Sequence, residues 1–132
     1  MTDDATAAAV LRRFWELFDA EEWTKAGGLL TDDVRVEWPH SGELIRGRDN
    51  VLALNANYPG RSRIRVLQIV GGADGPDGTV ASEVKVTNAG AVFWAASFAT
   101  VEAGRIRHSR EFWVDAPTEG PPPGRSQYTA RL

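Results

Sequence analysis

With 132 residues and 42% apolar side chains, the chain has material for one domain with a sizeable core. A formal net charge of −3, from 18 acidic against 15 basic residues, argues against electrostatic capture of nucleic acid. The absence of cysteine removes disulfides, thiolate catalysis and cysteine metal sites; two widely separated histidines argue against a histidine metal centre, so no cofactor is expected. The N-terminus lacks the charged, apolar and small-residue order of a secretory signal, and no apolar run could span a bilayer. The expectation is a soluble cytoplasmic protein with no membrane partner.

Residues 5–20, ATAAAVLRRFWELFDA, predict a helix. Its alanines favour the conformation, Thr2 or Asp3 can cap it, and Val10, Leu11, Phe14, Trp15, Leu17 and Phe18 form an apolar stripe. A second short helix, Glu22 to Leu30, carries Trp23, Ala26 and Leu29 and ends at the turn chemistry of Thr31-Asp32-Asp33. Val34, Val36 and Trp38 then alternate with Arg35 and Glu37, as in a strand with one buried face that Pro39 stops. Within VEWPHSGELIRG, residues 36–47, a short strand is expected at Leu44–Arg46. Arg48 or Asp49 opens a third helix through NVLALNAN, closed by Tyr58-Pro59-Gly60. Strands follow over 63–70, 79–87, 91–101 and 105–114, joined by GGADGPDG, NAG and EAG, all hairpin material. The domain thus spans residues 1–115. Residues 116–132 form an arm whose three consecutive prolines favour an extended polyproline conformation. Its composition fits a disordered tail, yet we expect it to lie on its own domain or on a neighbouring subunit.

Helices first and antiparallel hairpins after make an α+β fold, with a strongly curved sheet whose concave side the helices close. At FWELFDAEEWTKAGGLLTDDVRVEWP, IRGRDNV and EAGRIRHSREFWVD, the chain resembles the nuclear transport factor two-like, or SnoaL-like polyketide cyclase, superfamily. Steroid delta-isomerases and limonene epoxide hydrolase belong to it. The resemblance covers about residues 5–115. It implies a conical, cystatin-like α+β barrel of mixed and antiparallel strands, a deep apolar pocket and a homodimer. It does not imply one activity, since the same cone hosts isomerases, cyclases, hydrolases, dehydratases and binders.

Turn length sets which residues face the pocket. If Ala103-Gly104 is a two-residue loop, Glu102 pairs with Arg105, Phe98 opposes Ser109, Ala96 opposes Glu111 and Trp94 opposes Trp113. Trp94, Ala96, Phe98, Glu111 and Trp113 then share the inner face, with His108, Arg110 and Phe112 outside. A three-residue Asn88-Ala89-Gly90 loop would set Trp94 against Val84 and Ala96 against Ser82, burying Val80, Val84 and Val86 while Glu83 and Lys85 point out. A two-residue Ala89-Gly90 loop would put Glu83 and Lys85 beside Glu111; the three-residue form is preferred because it puts Val80, Val84 and Val86 on the buried side. Trp38 joins this aromatic collar near the mouth, with Trp15 or Phe14 from the helix. Phe18 and Tyr58 complete the expected ligand-binding set of Phe14, Trp15, Phe18, Trp38, Tyr58, Trp94, Phe98 and Trp113, suited to a flat or polycyclic apolar guest.

The resemblance also tests the chemistry. The proton-handling tyrosine and two aspartates of the isomerases fall on Phe14, Trp38 and Ala96, none of which moves a proton. The last-strand aspartate of limonene epoxide hydrolase matches Glu111, but Glu83 and Lys85 of EVKV do not reproduce its remaining pair. SnoaL-like cyclases use one acidic pocket residue as a base, and Glu111 is the inward carboxylate on the last two strands. Burial would raise its pKa and suit it to acid–base work near neutrality. A structural glutamate paired with Arg46, Arg65 or a backbone group is the alternative. His40, two residues past Trp38, is the second catalytic candidate, its unperturbed pKa being suited to proton transfer; a solvated loop histidine is its alternative. His108 reads as a surface or dimer-interface residue. Three readings follow: an acid–base enzyme acting on a small apolar molecule, a binder with the same pocket, and a homodimeric interaction module with a vestigial pocket.

Overall fold

The computed structural model describes residues 6–132, so Thr2 and Asp3 lie outside the described residues. Helix α1 (Ala7–Asp19) begins at Thr6, whose Oγ1 accepts the amide of Ala9 at 3.1 Å. Two further orphan amides, those of Ala7 and Ala8, donate to the carbonyls of Gly75 and Gly72, each at 2.8 Å. Gly72 has φ +68, and a Cβ there would stand 2.9 Å from the Val80 Cβ and 3.0 Å from the Ala8 nitrogen. The glycine-rich connector is therefore a lid on the helix start as well as a hairpin loop. The predicted stripe of α1 is buried throughout.

Helix α2 (Trp23–Gly27) is shorter than expected, because Leu30 already belongs to the first strand. Strands β1 (Leu30–Trp38) and β2 (Glu43–Arg46), helix α3 (Arg48–Ala56), and strands β3 (Ser62–Gly71), β4 (Gly78–Asn88), β5 (Ala91–Glu102) and β6 (Arg105–Asp115) follow. The six strands form one curved sheet in the order β2-β1-β6-β5-β4-β3. Only β1 and β6 run parallel; this pairing carries the early strand into the middle of the later meander. The core fills the space between α1 and the inner face, with Leu11, Leu30, Val34, Val84 and Val101 essentially fully buried. No helix among the described residues is long and apolar enough to cross a membrane.

Two registers differ from those expected. The β5–β6 turn is a two-residue Ala103-Gly104 reversal with Glu102 opposite Arg105, as predicted. Both turn residues have positive φ, 50° and 78°, the signature of the tight turn matched to strand twist. However, Val101 opposes Ile106 while Thr100 opposes His108, so Arg107 is an extra residue on β6. Beyond this bulge every pair moves by one: Ala99 faces Ser109, Ser97 faces Glu111, and Ala95 faces Trp113. The β4–β5 loop is the two-residue Ala89-Gly90 form, pairing Asn88 with Ala91 and Lys85 with Trp94. These two displacements cancel on β4: Val80, Val84 and Val86 are buried, and Glu83 and Lys85 sit on the outer side with Ala96 and Trp94. Residues 117–132 are exposed along their length.

Candidate functional site

Three strands and a helix assemble one polar row in the apolar interior. Glu111 on β6 is directly opposed to Ser97 on β5, and Ser97 to Ser82 on β4. On the other side of β6 runs β1, where Trp38 shares the inner face with Val36, the partner of Ser109. The Trp38 Nε1–H donates to Glu111 Oε1 at 2.9 Å, and the Trp113 Nε1–H donates to the same oxygen at 3.3 Å. From α1, the Trp15 Nε1–H donates to Ser82 Oγ at 3.0 Å. Three indoles are thus held by their N–H groups, and their apolar faces wall the interior. Ser97 is fully buried and its Oγ has no hydrogen-bond partner among the described residues.

Glu111 is buried, and this desolvation pushes its carboxyl above the ordinary value of 4.5. Hydrogen bonds from Trp38, Trp113 and Ser109 favour the anion and hold the shift back. No salt bridge reaches it among the described residues. Arg46 and Arg65, the counter-ions of the alternative structural reading, are exposed, because they alternate with the inward Ile45, Ile64 and Val66.

A cavity of about 290 Å³ opens above this row. Trp15, Phe18, Trp23, Trp38, Phe93 and Trp113 form its walls, and the exposed His40 and Tyr58 stand at its rim. Behind the indoles lies a chamber of about 20 Å³, bordered by Glu111, Ser109, Phe14 and Asn55, with room for one water-sized group. Trp15, Phe18, Trp38, Asn55 and Trp113 border both spaces. Glu111 borders only the small one, and Phe14 likewise.

Of the residues singled out from the sequence, Trp15, Phe18, Trp38, His40, Tyr58 and Trp113 border the main cavity. His40 and Glu111 are not brought together: the His40 ring lies 5.8 Å from the Trp38 ring, which stands between it and the carboxylate. Trp94 and Phe98 are placed on the opposite side of the sheet, where Phe98 is 49% exposed and packs on Phe112 with ring centroids 6.4 Å apart. The Arg107 bulge is the reason, since it turns the odd-numbered residues of β5 and not the even-numbered ones toward Glu111. Ala96 therefore faces out, and the inward residue opposite Glu111 is Ser97, which is no carboxylic acid either. His108 does lie outside, against Glu37, whose carboxyl it holds below the usual range by hydrogen bonding.

Sequence reasoning missed Phe93, Trp23 and Asn55. Phe93 follows the odd parity of Ala95 and Val101, which the bulge concealed. Trp23 replaces Trp94, so four of the five tryptophans still border one space. Asn55 gave no periodic signal, being one polar residue on a helix of mixed character.

Residues 11–109 match the SnoaL-like domain family. A Kribbella flavida DSM 17836 protein, provisionally assigned as a ketosteroid isomerase, is 31% identical over 95% of this chain and 88% of its own, with a TM-score of 0.82. An NTF-2-like protein of unknown function from Burkholderia xenovorans LB400 is 25% identical over 94% of this chain and 93% of its own, with a TM-score of 0.72. An LEH-like epoxide hydrolase from M. tuberculosis shares the fold at 22% identity, covering 82% of each chain, with a TM-score of 0.64. No curated protein matches the chain.

Proposed function

The chain belongs to the SnoaL-like domain family, and from that premise we propose that it is an acid–base enzyme acting on a small apolar molecule held between the tryptophans. The observation that carries this reading is Glu111: a carboxyl desolvated beneath an aromatic cavity, without a cationic partner among the described residues. Such a group holds its proton to higher pH than an exposed glutamate, because burial disfavours the anion. Its Oε1 accepts from two indole N–H groups, which stabilise the anion and leave Oε2 as the oxygen that would take a proton from a carbon of the bound molecule. The relatives assigned to isomerase and epoxide hydrolase chemistry support an acid–base activity in this fold but not the same residues. At the position where that isomerase chemistry needs an aspartate before the strand-ending proline, this chain has Trp38.

A non-catalytic binder is the second reading, favoured by one feature: Glu111 fixes both indoles and does not itself border the larger cavity. Glu111→Gln distinguishes the two. The enzyme reading expects a loss of about 10²–10⁴-fold in kcat with the substrate still bound. A variant that turns over an identified substrate at the wild-type rate would remove Glu111 from the mechanism.

We also propose a homodimer through the outer sheet face. Phe98, Phe112, Val114 and Val70 are 49%, 37%, 60% and 57% exposed there, an apolar surface of the kind that marks an interface.

A further inference from the structure

The two spaces on either side of the indoles differ in chemistry, and Asn55 stands at their junction. Its Nδ2–H donates to the Val51 carbonyl at 2.7 Å, within α3. The amide is thereby oriented, and Oδ1 is left as an acceptor that takes no hydrogen bond among the described residues. The smaller chamber has about 20 Å³, enough for one oxygen-sized group and too little for a ring. The larger one, about 290 Å³, is walled by tryptophan and phenylalanine and suits one or two fused rings.

From this division we infer that the ligand is a neutral cyclic alcohol or phenol, whose ring system fills the outer cavity and whose hydroxyl enters the inner chamber to donate to Asn55 Oδ1. Glu111 borders the same chamber; in its neutral form its O–H would donate to that hydroxyl oxygen. Asn55 is thus the residue that selects for a donor. The inference rests on the outer cavity being the binding site.

Charge argues against an anion. Glu21 and Asp115 border the outer cavity and Glu111 the inner one. Among the described residues the one Lys or Arg at the rim, Arg61, is already engaged: its Nε is 3.3 Å from Glu21 Oε1 and its Nη2 donates to the Asp19 carbonyl at 2.6 Å. Neither lysine nor arginine borders the inner chamber. A cation could use the tryptophan faces, but the chamber that decides orientation is too small for a hydrated ammonium.

Four probes of related shape test this: indane, indan-5-ol, indane-5-carboxylate and 2-aminoindane as its ammonium. Each is titrated into the full chain, with the indole N–H resonances as the readout. The alcohol should bind about tenfold more tightly than indane, because indane covers the Asn55 acceptor without pairing it; the carboxylate should be weakest. Asn55→Leu should bring the alcohol and indane within about twofold of each other. Equal binding of indane and the alcohol by the wild type overturns the inference and leaves the cavity reading standing. So does tighter binding of the ammonium, or a preference that survives Asn55→Leu. If no probe binds at all, the cavity reading falls and the inference with it. The wild-type series decides the matter even if the substitution disturbs α3.

Discussion

The inner and outer faces of β5 and β6 carry aromatic residues in similar number, and they treat them differently. Inside, Trp113 has its N–H on Glu111 and lies edge-on to Trp15 and Trp38, each with ring centroids 6.5 Å away. Outside, Phe98 and Phe112 meet edge to face, and the Arg110 guanidinium lies 5.5 Å above the Phe112 ring. Inner rings are fixed by polar atoms and closed in by helices, whereas outer rings lie on an open surface. A buried indole is worth its area only if its N–H is satisfied, so Glu111, accepting from Trp38 and Trp113, and Ser82, accepting from Trp15, are what let the inner face be built from tryptophan. An outer ring has no such requirement, and its exposure has to be met by another surface or by water.

The largest effect that separates the faces is truncation. Trp15→Ala should cost about 3–5 kcal/mol in urea unfolding, since the ring is fully packed, while Phe98→Ala should cost under about 1 kcal/mol. Equal costs would erase the distinction. Next comes the polar anchor. Glu111→Leu leaves the Trp38 and Trp113 N–H groups unpaired and should destabilise by about 1–3 kcal/mol more than Glu111→Gln, which keeps an acceptor. Matching stabilities would show that the indoles do not depend on it.

The pH dependence sharpens the same point. The Glu111 carboxyl is raised in the folded state, so between its unfolded and folded pKa values the native protein binds more protons than the unfolded one. Stability from this group is complete below the unfolded value and falls as pH rises through the folded one. Glu111→Gln removes the titration, so its stability relative to wild type should improve as pH increases from about 4.5, as paired melting curves would reveal. A constant difference across pH would mean that burial does not disfavour the anion. On the outer face, Phe112→Glu should shift sedimentation from dimer toward monomer without altering probe binding in the cavity; an unchanged dimer would place the interface elsewhere. The smallest effect is expected from deleting residues 117–132, all exposed: the unfolding free energy should stay within about 0.5 kcal/mol.

Much of the architecture was legible because it depends on local pattern. The stripe of α1, the alternation of Val34, Val36 and Trp38, and the Ala-Gly reversals all signal their elements within a few residues. The inward direction of Glu111 was legible too, since it shares parity with the buried Ser109 and with Trp113. The partners of Glu111 were not. Placing Trp94, Ala96 and Phe98 beside it assumed an uninterrupted ladder, and Arg107 interrupts it.

What the residues by themselves determine here is the order of elements and which side of each strand is apolar. Those follow from periods of 3.6 and 2 that one element carries alone. Tertiary structure decides which strand's inner residues meet which, because one inserted residue reverses parity for the rest of a strand at little local cost. It also decides that Trp23 and Asn55, from helices distant in sequence, stand over the same carboxylate row. Neither meeting is encoded by spacing; both arise only when the sheet curves and the helices close on it.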